Sequence, residues 1–224
     1  MNQHVTAGDH AYLTIRSMIL SGEIAPGEQL VQQSLAKQIG TSHIPVIEAI
    51  RRLESDGLVV CQSKWGAHAR VWTPEDIEAA YVMRASLEGY ACRLFVDQAS
   101  RAQRYQLQEL GREFDEFSAI GDRTSCINLD IKLHLHIINS TNSDFLRQFA
   151  ENSQIVVAVI RNTLKIPPPT GSVTGPNGVH DSLIAALMGD DPVLAEREGS
   201  DHVRLSGERV IQYLKRQEKV GRGV

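Results

Sequence analysis

The chain has 224 residues, 42% hydrophobic and 22% charged, with a formal net charge of −4 at pH 7. That composition is of an ordinary globular protein with room for one or two cores, and it excludes a wholly basic nucleic-acid coat protein. No apolar run reaches the ~18 residues a membrane span needs, no basic-then-apolar signal opens the chain, and Cys61, Cys92 and Cys126 are few and odd in number; a cytoplasmic protein with free thiols and no membrane partner is expected.

The first predicted helix runs over Tyr12–Leu20, with Leu13, Met18 and Leu20 among its apolar positions, and stops at Ser21-Gly22. In the next stretch Leu30, Leu35 and Ile39 set an apolar helical face, Gly40 breaks it, and Ser42 is placed to cap a second helix. Val46, Ile50 and Leu53 then repeat at helical spacing until Gly57. Val59-Val60, the turn Ser63-Lys64-Trp65-Gly66, and Ala69-Arg70-Val71-Trp72 read as a small hairpin. Two short helices joined at a glycine turn, with a strand pair after them, describe a winged helix-turn-helix whose second helix fits a DNA major groove.

Thr73-Pro74-Glu75-Asp76 is a helix start, with Thr73 as N-cap, Pro74 at the first position and acids in the first turn. The domain boundary is placed there: residues 1–73 as the DNA-binding module and 74–224 as a second domain. Helical period continues over six segments, about 74–98, 101–119, 122–140, 143–165, 178–189 and 192–217, interrupted by a proline-rich loop from Ile166 to Gly178. The expected fold is mainly α: an N-terminal winged helix-turn-helix with a β-hairpin wing, then an all-α antiparallel bundle whose side chains can converge on a central cavity.

Four metal-ligating side chains fall where such a bundle can bring them together. Asp130 and His134 are spaced i, i+4, among Ile127, Ile131, Ile137, Ile138 and Thr141, so their face points inward. His180 is expected in the first turn of the fifth helix and His202 lies in the sixth. The short turn Gly189-Asp190-Asp191-Pro192 forces an antiparallel hairpin between those helices. His180 is nine residues before Gly189 and His202 ten after Pro192, so the two imidazoles sit at one height. Small residues at Ala195, Gly199 and Ser206 leave room beside His202. One carboxylate and three imidazoles suit a divalent Zn, Ni or Mn ion with coordination positions left open for a carboxylate ligand. His136, about 200° around the helix from His134, belongs to the outer face. Cys126, one turn before Asp130, reads as a buried inert thiol rather than a soft ligand.

On the first helix of the bundle, Tyr81, Arg84 and Glu88 share a face. An inward Arg84 guanidinium would clamp the carboxylate of an effector; an Arg84–Glu88 surface pair at i, i+4 is the equally weighted alternative.

These residues resemble a known family. The chain is similar to GntR-type bacterial transcription regulators of the FadR/FCD branch over nearly its whole length. The resemblance rests on Pro26-Gly27-Glu28-Gln29-Leu30, Leu35-Ala36, Ser42, Pro45-Val46, Glu48-Ala49, Arg51-Arg52-Leu53-Glu54 and Gly57-Leu58. In the second domain it rests on Arg84, Leu87-Glu88, Asp130, His134, His180 and His202. It implies a homodimer on a palindromic operator of double-stranded DNA. It also implies a helical effector domain, often metal-containing, whose small organic-acid ligand changes DNA affinity. Six helices after the wing resemble the VanR-type subgroup. The family usually carries arginine at the positions of His43 and Ile47, and some members at Gln33; none is Arg here.

Residues 1–75 hold 6 Lys/Arg against 7 Asp/Glu, leaving 17 against 20 beyond, so DNA affinity has to come from local basic placement doubled by dimerisation. The candidate DNA contacts are Gln33, Ser42, His43, Ile47, Arg51, Arg52 and Lys64, with Arg70 as a further phosphate contact. Gln33 offers adenine readout and Ile47 a thymine-methyl contact, so the operator is expected to differ from a guanine-centred half-site. The main reading is a ligand-responsive transcription regulator. A metal-dependent enzyme acting on a small carboxylate or keto acid is the alternative, disfavoured because no inward acid or base besides Glu88 stands near the ligands. A module that has lost DNA binding is a third reading, disfavoured by Arg51 and the basic wing.

Overall fold

The computed structural model describes residues 6–166 and 178–221. The chain divides into two compact units, Met1–Thr73 with Ala158–Lys165, and Pro74–Val157 with Ile166–Val224. Among the described residues no helix is long and apolar enough to cross a membrane.

In the first unit α1 spans Ala7–Ser21, α2 Gln32–Ile39 and α3 His43–Ser55. Helix α1 starts five residues before the expected Tyr12, because Thr6 and Asp9 form a capping box that satisfies orphan amides at each other's backbone. Its buried face is Ala11, Tyr12, Ile15, Met18 and Ile19, and Leu13 is exposed instead. Gly40 ends α2 in the left-handed region at φ 76°, and α3 buries Val46, Ala49, Ile50 and Leu53. Ser42 stands at the N-cap of α3, but its side chain makes no capping hydrogen bond.

The wing consists of β1 Val59–Gln62 and β2 Gly66–Ala69, antiparallel, with Val59 opposite Ala69 and Gln62 opposite Gly66. The second strand, expected over 69–72, falls three residues earlier because the segment before α2 pairs with it: Leu30 N–H donates to Ala67 O at 2.8 Å and Ala69 N–H to Glu28 O at 2.9 Å. Leu30 is thereby tied to the wing and is not part of the α2 face.

After the wing the helices are α4 Pro74–Gln98, α5 Arg101–Ala119, α6 Arg123–Asn139, α7 Asp144–Thr163, α8 Asp181–Met188 and α9 Pro192–Gly221. All six expected segments are present. Within the connection expected over 166–178, Pro167–Asn177 lie outside the described residues. Phe95, Leu107, Leu133, Ile137, Ile138, Leu183 and Leu187 form the core.

Helices α4 and α9 lie antiparallel at very close range, and glycine makes that possible. A Cβ on Gly89 would stand 2.0 Å from Ser200 Oγ and 2.9 Å from Glu196 O; one on Gly207 would stand 2.7 Å from the Tyr81 ring. Arg104 ties the far end, donating from Nη1 to Leu187 O and Gly189 O and from Nη2 to Val96 O. Gly89→Ala is therefore expected to destabilise the bundle by about 1–3 kcal/mol, outweighing the ~1 kcal/mol by which alanine favours a helix. Denaturant unfolding followed by circular dichroism measures this.

Candidate metal centre and DNA-reading face

Asp130 and His134 come from α6, His180 from the start of α8 and His202 from α9. Their donor atoms all lie within 4.8 Å of one another. Asp130, His134 and His180 are buried and His202 half-buried. His180 Nε2 lies 3.2 Å and His134 Nε2 3.8 Å from Asp130 Oδ1. The ring centroids of His134 and His202 are 5.2 Å apart, and those of His180 and His202 are 5.0 Å apart. His180 is the N-cap of α8, at φ −103° and ψ 0°, and not a residue of its first turn. The Phe114 ring meets its imidazole edge-on at 4.6 Å and fixes its plane.

The donor set fits a divalent ion. A metal about 2.1 Å from each ligand would hold neighbouring donors roughly 3–4 Å apart, a small contraction of the present cluster. The buried Nδ1 atom of His180 has no hydrogen-bond partner among the described residues. Burial, then the neighbouring His180 and His134, hold the His202 pKa well below the ordinary imidazole value, so this ring is in the neutral, ligating form near pH 7. His136 is outside the cluster, on the other side of α6, and half-buried, with its Nε2 2.8 Å from Gln103 O of α5. Cys126 is buried outside the cluster, its thiol pKa raised first by burial.

Arg84 is 2% and Glu88 3% exposed, so their i, i+4 pair is an interior one. Arg84 Nε donates to Glu88 Oε1, Gln154 Nε2 of α7 donates to the same oxygen, and His134 Nδ1 lies 2.5 Å from Glu88 Oε2 without hydrogen-bond alignment. Burial opposes charge on Glu88, but Arg84 and His134 outweigh it and hold the carboxyl below its ordinary range. The buried Tyr81 hydroxyl, on the same face of α4, has no hydrogen-bond partner among the described residues. Sequence reasoning misses Gln154. Its one signal is a polar residue on the α7 stripe of Ala150 and Val157.

On the first unit Gln33, Ser42, His43, Arg51, Arg52 and Lys64 are exposed and Ile47 is half-buried. Two of the expected phosphate contacts are already engaged. Arg52 Nη1 pairs with Asp9 at 2.8 Å, and its guanidinium lies 4.0 Å over the Tyr12 ring. Thr6 and Arg52 hold the exposed Asp9 carboxyl down at about 2. Arg70 Nε donates to Gly57 O, and its guanidinium lies 5.4 Å from the Trp72 centroid. Arg52 and Arg70 brace the module internally, whereas the Arg51 side chain makes no ion pair among the described residues.

Because Glu88 touches a ligand imidazole through the nitrogen facing away from Asp130, Glu88→Gln is expected to weaken divalent-metal binding about 10–100-fold. Competition against a chelator measures it. Acidification is expected to release the metal as protons compete for the ligands, with His202 giving way only below the ordinary imidazole range because its pKa is lowered, and a chelator-competition series across pH measures it.

Residues 7–68 match the description "Bacterial regulatory proteins, gntR family" and residues 79–205 match "FCD domain". The chain is 30% identical over 142 residues to the "Uncharacterized HTH-type transcriptional regulator YdhC" of Bacillus subtilis (strain 168), covering 63% of each, so it spans just under two thirds of that relative's length. It is 26% identical over 190 residues to the "Probable D-xylose utilization operon transcriptional repressor" of Paenarthrobacter nicotinovorans, covering 83% of this chain and 80% of that one. The solved structure "E. coli McbR/YncC" superposes with a TM-score of 0.74 at 20% identity, over 94% of this chain and 100% of the other, a likeness of fold. The two sequence relatives are both described as transcription regulators. The chain belongs to the gntR family of bacterial regulatory proteins and carries an FCD domain behind its winged helix-turn-helix.

Proposed function

We propose that this protein is a cytoplasmic, homodimeric transcription regulator whose operator affinity is set by a small organic acid bound beside a divalent metal. The observation that carries the reading is the buried convergence of Asp130, His134, His180 and His202, next to a buried Arg84 and an unpartnered Tyr81 hydroxyl. Those four residues would hold a Zn, Ni or Mn ion, which when bound supplies Lewis-acid coordination for a carboxylate. Arg84 would orient the carboxylate by charge and Tyr81 by a hydrogen bond, while Glu88 fixes both the Arg84 guanidinium and the His134 ring. An effector that fits one dimer geometry better than another shifts the population toward it, and with it the spacing of the two recognition helices on the DNA.

Gln33, Ser42, His43, Ile47, Arg51 and Lys64 are assigned to the DNA surface, with Arg52 supporting it from its pair with Asp9. The test is fluorescence anisotropy on the DNA upstream of the protein's own coding region, across a salt series, with and without metal and a panel of small carboxylates. Preference over random duplex, altered by at least one carboxylate only in the metal-loaded protein, is expected. Equal affinity for random duplex at every salt would overturn the reading. Arg51→Ala is expected to weaken binding to all sequences alike and to lower the salt slope by about one. Arg52→Ala is expected also to lower the thermal stability of the module, because it removes the Asp9 pair and the Tyr12 contact.

A further inference from the structure

At the start of α3 stands a side chain for which the folded protein has no use. Ile44 is 68% exposed in the first turn of the helix, flanked by the exposed Ser42 and His43. A β-branched aliphatic is a poor helix former, and left in water it returns none of its burial energy. At about 100° per residue, Ile44, Ile47 and Arg51 fall within roughly 60° of the helix circumference, so the two isoleucines form one apolar ridge with an unengaged guanidinium behind it. Glu48 would interrupt the ridge, but its carboxylate leans back onto α1, where Gly8 leaves the space. A Cβ on Gly8 would stand 2.9 Å from Glu48 Oε2.

In a helix-turn-helix the N-terminal residues of the second helix meet base edges. The apolar group that the major groove presents there is the C5 methyl of thymine. Ile44 and Ile47 lie one turn apart, with Cβ atoms roughly 5–6 Å from each other, which spans one to two base-pair steps of about 3.4 Å. From this geometry we infer that Ile44 and Ile47 together read thymine methyl groups, so that each half-site is specified by neighbouring thymines. A positively charged neighbour in Arg51 selects duplex DNA over a protein or a lipid tail as the occupant of the ridge. The inference rests on the DNA-reading function proposed above, and it assigns a specificity role to a residue outside the positions where the family usually carries arginine.

The test selects sites from a random duplex library with the full-length protein at fixed salt. The enriched duplex is then remade with single thymines replaced by deoxyuridine, which removes only the methyl. Each critical replacement is expected to weaken binding about fourfold, at two thymine positions per half-site. Ile44→Ser and Ile47→Ser should each erase the penalty at one position, while Ile44→Val keeps it; Ile44 is exposed, so an unchanged melting curve is expected for its variants. Full affinity for a duplex in which every thymine is deoxyuridine overturns the inference, as does an undiminished penalty in the double serine variant. Failure to enrich any sequence overturns the DNA-reading function itself, a result distinct from enrichment without methyl dependence.

Discussion

The carboxylate of Glu88 organises the interior of the second unit. It is nearly inaccessible to water, and removing a charge from water costs several kcal/mol unless partners replace the hydration. Arg84 and Gln154 share one of its oxygens, and His134 faces the other. Three helices, α4, α6 and α7, thus meet at one anion, and none of these groups can be buried at low cost without the rest. The same contact turns His134 so that its other nitrogen faces Asp130, which makes a structural ion pair and a metal-ligand orientation parts of one arrangement.

That arrangement needs α4 and α9 close together, because Arg84 and Glu88 sit on one and His202 on the other. Gly89, Gly199 and Gly207 allow the approach, with Ser200, Cys92 and Tyr81 filling the space their missing side chains leave. Ser200 Oγ donates to Ala85 O across the same seam, so a hydroxyl at the tightest point also has a partner. The Tyr81 hydroxyl and the Nδ1 atom of His180 have no hydrogen-bond partner among the described residues. Unsatisfied buried polar atoms are costly, and their concentration at one place is what separates a site from a packed core.

In the first unit electrostatics are arranged by diverting arginines rather than by adding them. Asp9 and the Tyr12 ring engage Arg52, and Gly57 O engages Arg70. Of the basic candidate contacts, Arg51 and the wing-tip Lys64 are left exposed with no ion pair among the described residues. A recognition helix with few free charges and an apolar ridge depends on shape and methyl contacts more than on guanidinium forks. The cause is which partner each side chain finds, not how many basic residues the module holds.

The sequence alone determined the element order. Apolar period and helix stops locate α4 to α9 to within about four residues at each end, i, i+4 spacing puts Asp130 and His134 on one helix face, and the short Gly189–Asp191 turn levels His180 with His202, because those relations are local and helix geometry is rigid. The open questions required neighbours distant in sequence. Whether Arg84 and Glu88 lay outside or inside turned on how closely α9 covers α4. The second wing strand is misplaced by local pattern because its pairing with Glu28 and Leu30 is non-local. Arg52 reads as a phosphate contact because Asp9 is 43 residues away. Only the tertiary structure decides such cases, since burial and partner choice are set by the surfaces that pack together, and one-dimensional spacing carries no record of them.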